Sequence, residues 1–80
     1  MNRKIKLVWD FYGGDAEGTA KHHVIHLEQF MEREKLSYIK TGIESNEDFH
    51  CLAFITVNEK DVVILRDSLR PNRAFIDKSL

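Results

Sequence analysis

The sequence predicts an α+β domain of the ferredoxin-like β-α-β-β-α-β plan, with two helices on one face of a four-stranded antiparallel sheet. Three observations predict it. Lys4 to Phe11 alternates with a period of two, and Ala16 to Leu36 carries an apolar stripe at helical spacing. Two β-favouring runs then flank the polar turn Ser45-Asn46-Glu47-Asp48, ahead of a second helical segment and a short last strand.

In the first strand, Ile5, Leu7, Trp9 and Phe11 point one way, and Lys4, Lys6, Val8 and Asp10 the other. Gly13-Gly14 permits a tight turn, and Asp15 is placed to cap the helix that follows. At about 100° per residue, Ala16, Ala20, Val24, Leu27, Phe30 and Met31 share the buried stripe of that helix. Ile25 points nearly opposite. Ser37 to Glu44 reads as the second strand, with Gly42 marking a bulge or the close approach of another backbone. Phe49 to Val57 reads as the third, apolar on both faces and paired with the second as a hairpin.

Asn58 to Arg70 contains the β-branched run Val62-Val63-Ile64, which by itself suits a strand. Its ends favour a helix. Asn58 and Asp61 resemble a capping box, Arg66 and Arg70 suit a helix C-terminus, and Pro71 stops the segment. Val62, Leu65 and Leu69 then share a face. Arg73 to Lys78 completes the plan as a short strand or extended tail.

Composition bounds the function. Residues 1–80 form a single domain, and 42% hydrophobic with 31% charged residues is a globular balance. A net charge of −1 gives no electrostatic drive toward nucleic acid or an anionic membrane, and neither is expected as a partner. No apolar run approaches the roughly 18 residues of a membrane span, and the N-terminus lacks the apolar core of a signal peptide. A single Cys51 suits a reducing compartment, so a cytoplasmic location is expected, with Cys51 buried and inert.

The helices of this plan cover one sheet face only. Val8, Leu52 and Phe54 then fall on the other, as an exposed apolar patch of the kind that marks a partner surface. A homodimer through the sheet face is the expected solution.

Three of the four histidines, His22, His23 and His26, lie within five residues on the first helix. His22 and His26 are four apart and therefore neighbours, a spacing at which two imidazoles can share a metal. No acid stands between them and no third ligand is close in sequence, so neither a metal site nor a cofactor is assigned. Proton transfer is the other chemistry: an imidazole at the edge of a buried stripe, held by a carboxylate, is poised near neutrality. Asp10 and Asp67 are the candidate carboxylates. Helical phasing puts His23 toward the core, His26 at the helix–sheet boundary and His22 outward. The plainer alternative is a near-core His23 with two solvated surface imidazoles.

Asp10, the helix motif His23-Val24-Ile25-His26-Leu27, Gly42 and the run Leu65-Arg66-Asp67-Ser68-Leu69-Arg70-Pro71 together give a resemblance. In these residues the chain resembles the dimeric α+β-barrel proteins, and within them the YCII-related group. The resemblance implies a small enzyme or ligand binder with a His and an Asp between helix and sheet. Carried onto this chain, that pair is His26 with Asp10, and His23 is the substitute. Two classes of function follow. One is a small homodimeric binding or interaction domain without catalysis. The other is a small-molecule enzyme of isomerase, lyase or hydrolase type using the His/Asp pair.

Overall fold

The computed structural model describes residues 3–46 and 49–77. Strand β1 (Lys4–Tyr12) leads to helix α1 (Ala16–Arg33), strands β2 (Lys40–Asn46) and β3 (His50–Asn58), a 3-10 turn (Glu59–Asp61), helix α2 (Val62–Leu69) and strand β4 (Arg73–Ile76). The four strands form one sheet in the order β2-β3-β1-β4, antiparallel at every pairing. No described helix is long and apolar enough to cross a membrane.

The period-two alternation of β1 sorts its side chains between two environments. Ile5, Leu7 and Trp9 join Ile55 and Val57 of β3, Leu27, Phe30 and Met31 of α1, and Leu65 of α2 in the main core. Both helices therefore pack on the same side of β1. Val62 and Leu69 flank Leu65, as their shared face predicts. Trp9 donates its indole N–H to the Leu69 carbonyl at 2.8 Å, tying the last turn of α2 to the sheet. A smaller cluster of Ala16, Ala20, Cys51 and Ala53 fills the other end, where small side chains let α1 approach β3. Phe11 packs against both clusters and joins them.

Several element ends differ from the sequence expectation for identifiable reasons. Helix α1 stops at Arg33, not Leu36, because Lys35 takes a left-handed backbone (φ 56°). Leu36 N–H then bonds back to the Met31 carbonyl at 2.8 Å. Strand β2 begins near Lys40, not Ser37, because the intervening residues carry the chain from the helix across β3 to the sheet edge. Ser45 and Asn46, expected in the turn, extend β2 instead; Glu47 and Asp48 lie outside the described residues, as does Lys78 at the expected end of the last strand.

Neither expected N-cap forms by its side chain. Asp15 makes no capping hydrogen bond, and the Asn58–Asp61 capping box is absent. The Asn58 side-chain oxygen instead accepts the Lys4 ammonium at 2.8 Å, across the first ladder pair of β1 and β3. Gly42 marks no bulge, since the β2–β3 register runs unbroken through Gly42 opposite Phe54. What approaches Gly42 is a side chain: the Phe54 ring lies 3.0 Å from where a Cβ would stand.

That ring also corrects the expected exposed patch. Val8, Leu52 and Phe54 do cluster away from the helices. They are only 1%, 7% and 8% exposed within the single chain. The Cζ–Cε2 edge of Phe54 packs against Gly42, and the Lys6 ammonium sits 4.4 Å from the ring centroid, so its methylene stem covers apolar surface.

Candidate functional site

The densest polar network lies at one end of the uncovered sheet face, and its centre is Asp10. The β1–β3 register pairs Asp10 with Leu52 and Tyr12 with His50, so Asp10 and His50 are diagonal neighbours on one face. His50 Nε2 bonds Asp10 Oδ1 at 2.7 Å. From the opposite side, the Arg73 guanidinium of β4 grips the same carboxylate with two nitrogens, Nη2 to Oδ1 at 2.6 Å and Nε to Oδ2 at 2.9 Å. Asn72 accepts the Asp10 backbone N–H at 2.8 Å, and Asn46 meets His50 Nδ1 at 2.9 Å. Tyr12 rests its ring against His50, with 4.8 Å between centroids.

The electrostatics follow from these contacts. Burial raises the Asp10 carboxyl, but the Arg73 and His50 hydrogen bonds and their charges outweigh it and hold the group below its ordinary value of 3.8. An ionised Asp10 can only accept, so His50 Nε2 carries the proton of their contact, and Asn46 bonds the other ring nitrogen. Every polar atom of the Asp10 side chain and both ring nitrogens of His50 thus have partners. The network joins β3, β1 and β4 at one end of the sheet.

The histidines of α1 fall into two settings. His23 lies between Trp9 (centroids 4.9 Å apart) and Phe11 (5.5 Å), and its buried Nε2 has no hydrogen-bond partner. Burial, then the neighbouring His26, lowers its pKa from the ordinary 6.5. His22 and His26 are exposed, and their Nε2 atoms meet at 2.9 Å with the rings nearly perpendicular. His26 therefore turns along the helix to His22 and does not stand at the helix–sheet boundary.

Of the residues singled out in the sequence, Asp10 lies in the polar network, His23 in an aromatic sandwich and His26 on the solvent face. Asp10 takes His50 and Arg73 as partners, and His26 takes His22. Asp67 is exposed beside Arg66, at 3.4 Å. The residues that sequence reasoning did not bring to Asp10 are His50, Arg73, Asn72 and Asn46, although Arg73 stands out with Arg66 and Arg70 as a candidate carboxylate binder and His50 as a residue that folding could add to a site. Their signal lies in the strand register: once Tyr12 is set opposite His50, Asp10 and His50 share a face, and Arg73 opposite Val8 reaches the same carboxylate.

Beside the network, a hollow of about 160 Å³ opens between the start of α1 and the β2–β3 hairpin, lined by Gly13, Gly14, Ser45, Asn46, Phe49 and Cys51 among others. Gly13 adopts φ 108° there and donates its N–H to the Phe49 carbonyl at 2.8 Å. Cys51 is buried, with Ser45 Oγ 3.5 Å from its sulfur.

Fold and site together define a small α+β domain with a four-stranded antiparallel sheet, two helices and a clamped carboxylate at one sheet end. Comparison with family models, curated proteins and solved structures yields no match for this chain.

Proposed function

We propose that this chain is a ferredoxin-like binding domain, without catalysis of its own, that associates with a second copy of itself through the sheet face the helices leave free. The β-α-β-β-α-β order and the strand order, which read from the other edge is β4-β1-β3-β2, support the plan. So does the resemblance to the dimeric α+β-barrel proteins, in which two such domains associate.

One observation carries the interaction reading. On the free face, Tyr12 is 74% and Phe75 47% exposed, one at each flank of the covered Val8–Leu52–Phe54 strip. Large aromatic side chains held on a rigid sheet are the residues that anchor interfaces. Around them, Lys6 pairs with Glu44 and Arg73 with Asp10, which gives a mixed, nearly neutral rim suited to a like partner. A symmetric pairing would bring each copy's Tyr12 and Phe75 against the same patch of the other.

The enzyme reading draws less support. It needs His26 or His23 hydrogen-bonded to a carboxylate beside a cavity. His26 bonds His22, His23 Nε2 is buried without a partner, and the Asp10 oxygens are occupied.

Size-exclusion chromatography with light scattering tests the proposal. The expected mass at micromolar concentration is twice the 9.4 kDa of the chain. Tyr12→Ala with Phe75→Ala should shift it to the monomer. A 9.4 kDa species for the unaltered protein at that concentration overturns the reading.

A further inference from the structure

The exposed pair His22 and His26 belongs neither to the Asp10 network nor to the free sheet face. Both side chains project from the middle of α1, an 18-residue helix whose backbone fixes their relative position. Their Nε2 atoms stand 2.9 Å apart, and both residues are open to solvent.

That separation has a chemical meaning. Imidazole nitrogens bind first-row divalent ions at about 2.05 Å. Two nitrogens at that distance from one ion stand about 2.9 Å apart when the angle between them is about 90°, and about 3.3 Å apart at the tetrahedral angle. The 2.9 Å contact is a hydrogen bond between the rings, and it brings the two Nε2 atoms within the span that a single ion bridges. The rings meet nearly perpendicular, so metal binding requires each to rotate about its side-chain bonds until both lone pairs face one ion.

We propose that His22 and His26 form a two-imidazole chelating site for an exchangeable divalent ion of the copper or nickel class. On binding, the ring that donates its Nε2–H in the contact carries that proton on its own Nδ1 instead, by exchange through solvent, so both rings stay neutral and both Nε2 lone pairs face the ion. Among the described residues, no group of three or more His, Cys, Asp or Glu side chains is placed to hold a metal. The remaining coordination positions therefore belong to water or a small anion, and the ion exchanges readily. The other histidines are committed elsewhere: His23 Nε2 is buried against Trp9 and Phe11, and both His50 nitrogens are bonded. Glu17, in the hollow beside His22, is paired with Lys21 at 3.2 Å.

Calorimetric titration of the full chain with Cu²⁺ alone and Ni²⁺ alone, in a non-chelating buffer, tests the site. One equivalent should bind saturably, Cu²⁺ more tightly than Ni²⁺, following the general order of divalent affinities. His22→Ala or His26→Ala should weaken binding by roughly tenfold or more, since each leaves one ligand of two. The electron paramagnetic resonance spectrum of the Cu²⁺ form should show coupling to two imidazole nitrogens, and to one in either variant. Both positions are exposed, so the variants should fold; if helix circular dichroism falls, His22→Gln and His26→Gln carry the same comparison. Absence of saturable one-equivalent binding, or binding that these substitutions leave unchanged, overturns the proposal.

Discussion

At Asp10, three donors converge on one carboxylate: His50 Nε2 and two nitrogens of Arg73. Hydrogen bonds to a charged group are the stronger kind, and this carboxylate is largely removed from water. Asp10→Asn keeps the size but turns an amide N–H toward a donor. It should cost about 1–2 kcal/mol in urea unfolding, with Arg73 discounted for its partial exposure. The pH dependence has a definite sign. The folded pKa lies below 3.8, so the unfolded chain binds the proton more readily. The stabilisation is complete above the unfolded value and is lost as pH falls through the folded one. In the range below about pH 4, the unaltered protein should lose stability more steeply than the Asn variant; parallel curves would remove the carboxylate from this role. His23 presents the opposite case, an imidazole whose buried Nε2 finds no partner between two aromatic rings. Nothing in its contacts gives that nitrogen a task.

Among the elements, β3 is the hub of the sheet, flanked by β1 and β2 and apolar on both faces. Its alternation sends Ala53, Ile55 and Val57 to the helices, and Leu52 and Phe54 to the free face. Phe54 is held there by Gly42 on one side and the Lys6 ammonium on the other. Gly42→Ala would place a methyl 3.0 Å from the ring carbon Cζ and 3.1 Å from Cε2. The ring must shift off Gly42, at a cost of about 1 kcal/mol or more in thermal or urea unfolding. An unchanged midpoint would mean that the ring is not held against β2. Helix ends tell a related story. Arg70 closes α2 in a left-handed conformation (φ 48°) ahead of Pro71, and Phe49 enters β3 at φ 57° while 73% exposed. A bulky residue in that region is strained, and packing of the Phe49 ring does not account for it.

For the whole molecule, two core clusters share Phe11, and both helices close on the same strands. Unfolding should therefore be one cooperative transition, as in most single domains of this size. Leu27 is the test position because it is fully buried in the larger cluster. Leu27→Ala should cost about 2–5 kcal/mol, which in a chain of 80 residues is a large share of the total stability. Circular dichroism and Trp9 fluorescence should report the same lowered midpoint. Two separate transitions would show that the clusters unfold independently.

Local pattern determined much of this architecture. The alternation from Lys4 to Phe11 specifies a strand with one helix-facing side, the stripe from Ala16 to Met31 a helix, and the order of elements an α+β domain. The segment after Asn58 is helical despite Val62-Val63-Ile64, because the Val62–Leu65–Leu69 face packs on the core and Pro71 stops it, although the Asn58–Asp61 box does not form. These features were legible because their causes lie within a few residues of one another. Tertiary structure decided the polar contacts and the coverage of the sheet. Phase along a helix puts His26 at the helix–sheet boundary, whereas the ring is exposed and turns to His22. No local signal says that Asn58 takes Lys4 in place of a helix cap, or that Phe54 packs on Gly42 beneath Lys6 and so hides the patch that pattern alone leaves exposed. Above all, Asp10 meets His50 and Arg73, 40 and 63 residues away, and not the histidines of α1. Periodicity reports which face a side chain occupies. Strand register, a non-local property, chooses its partner on that face.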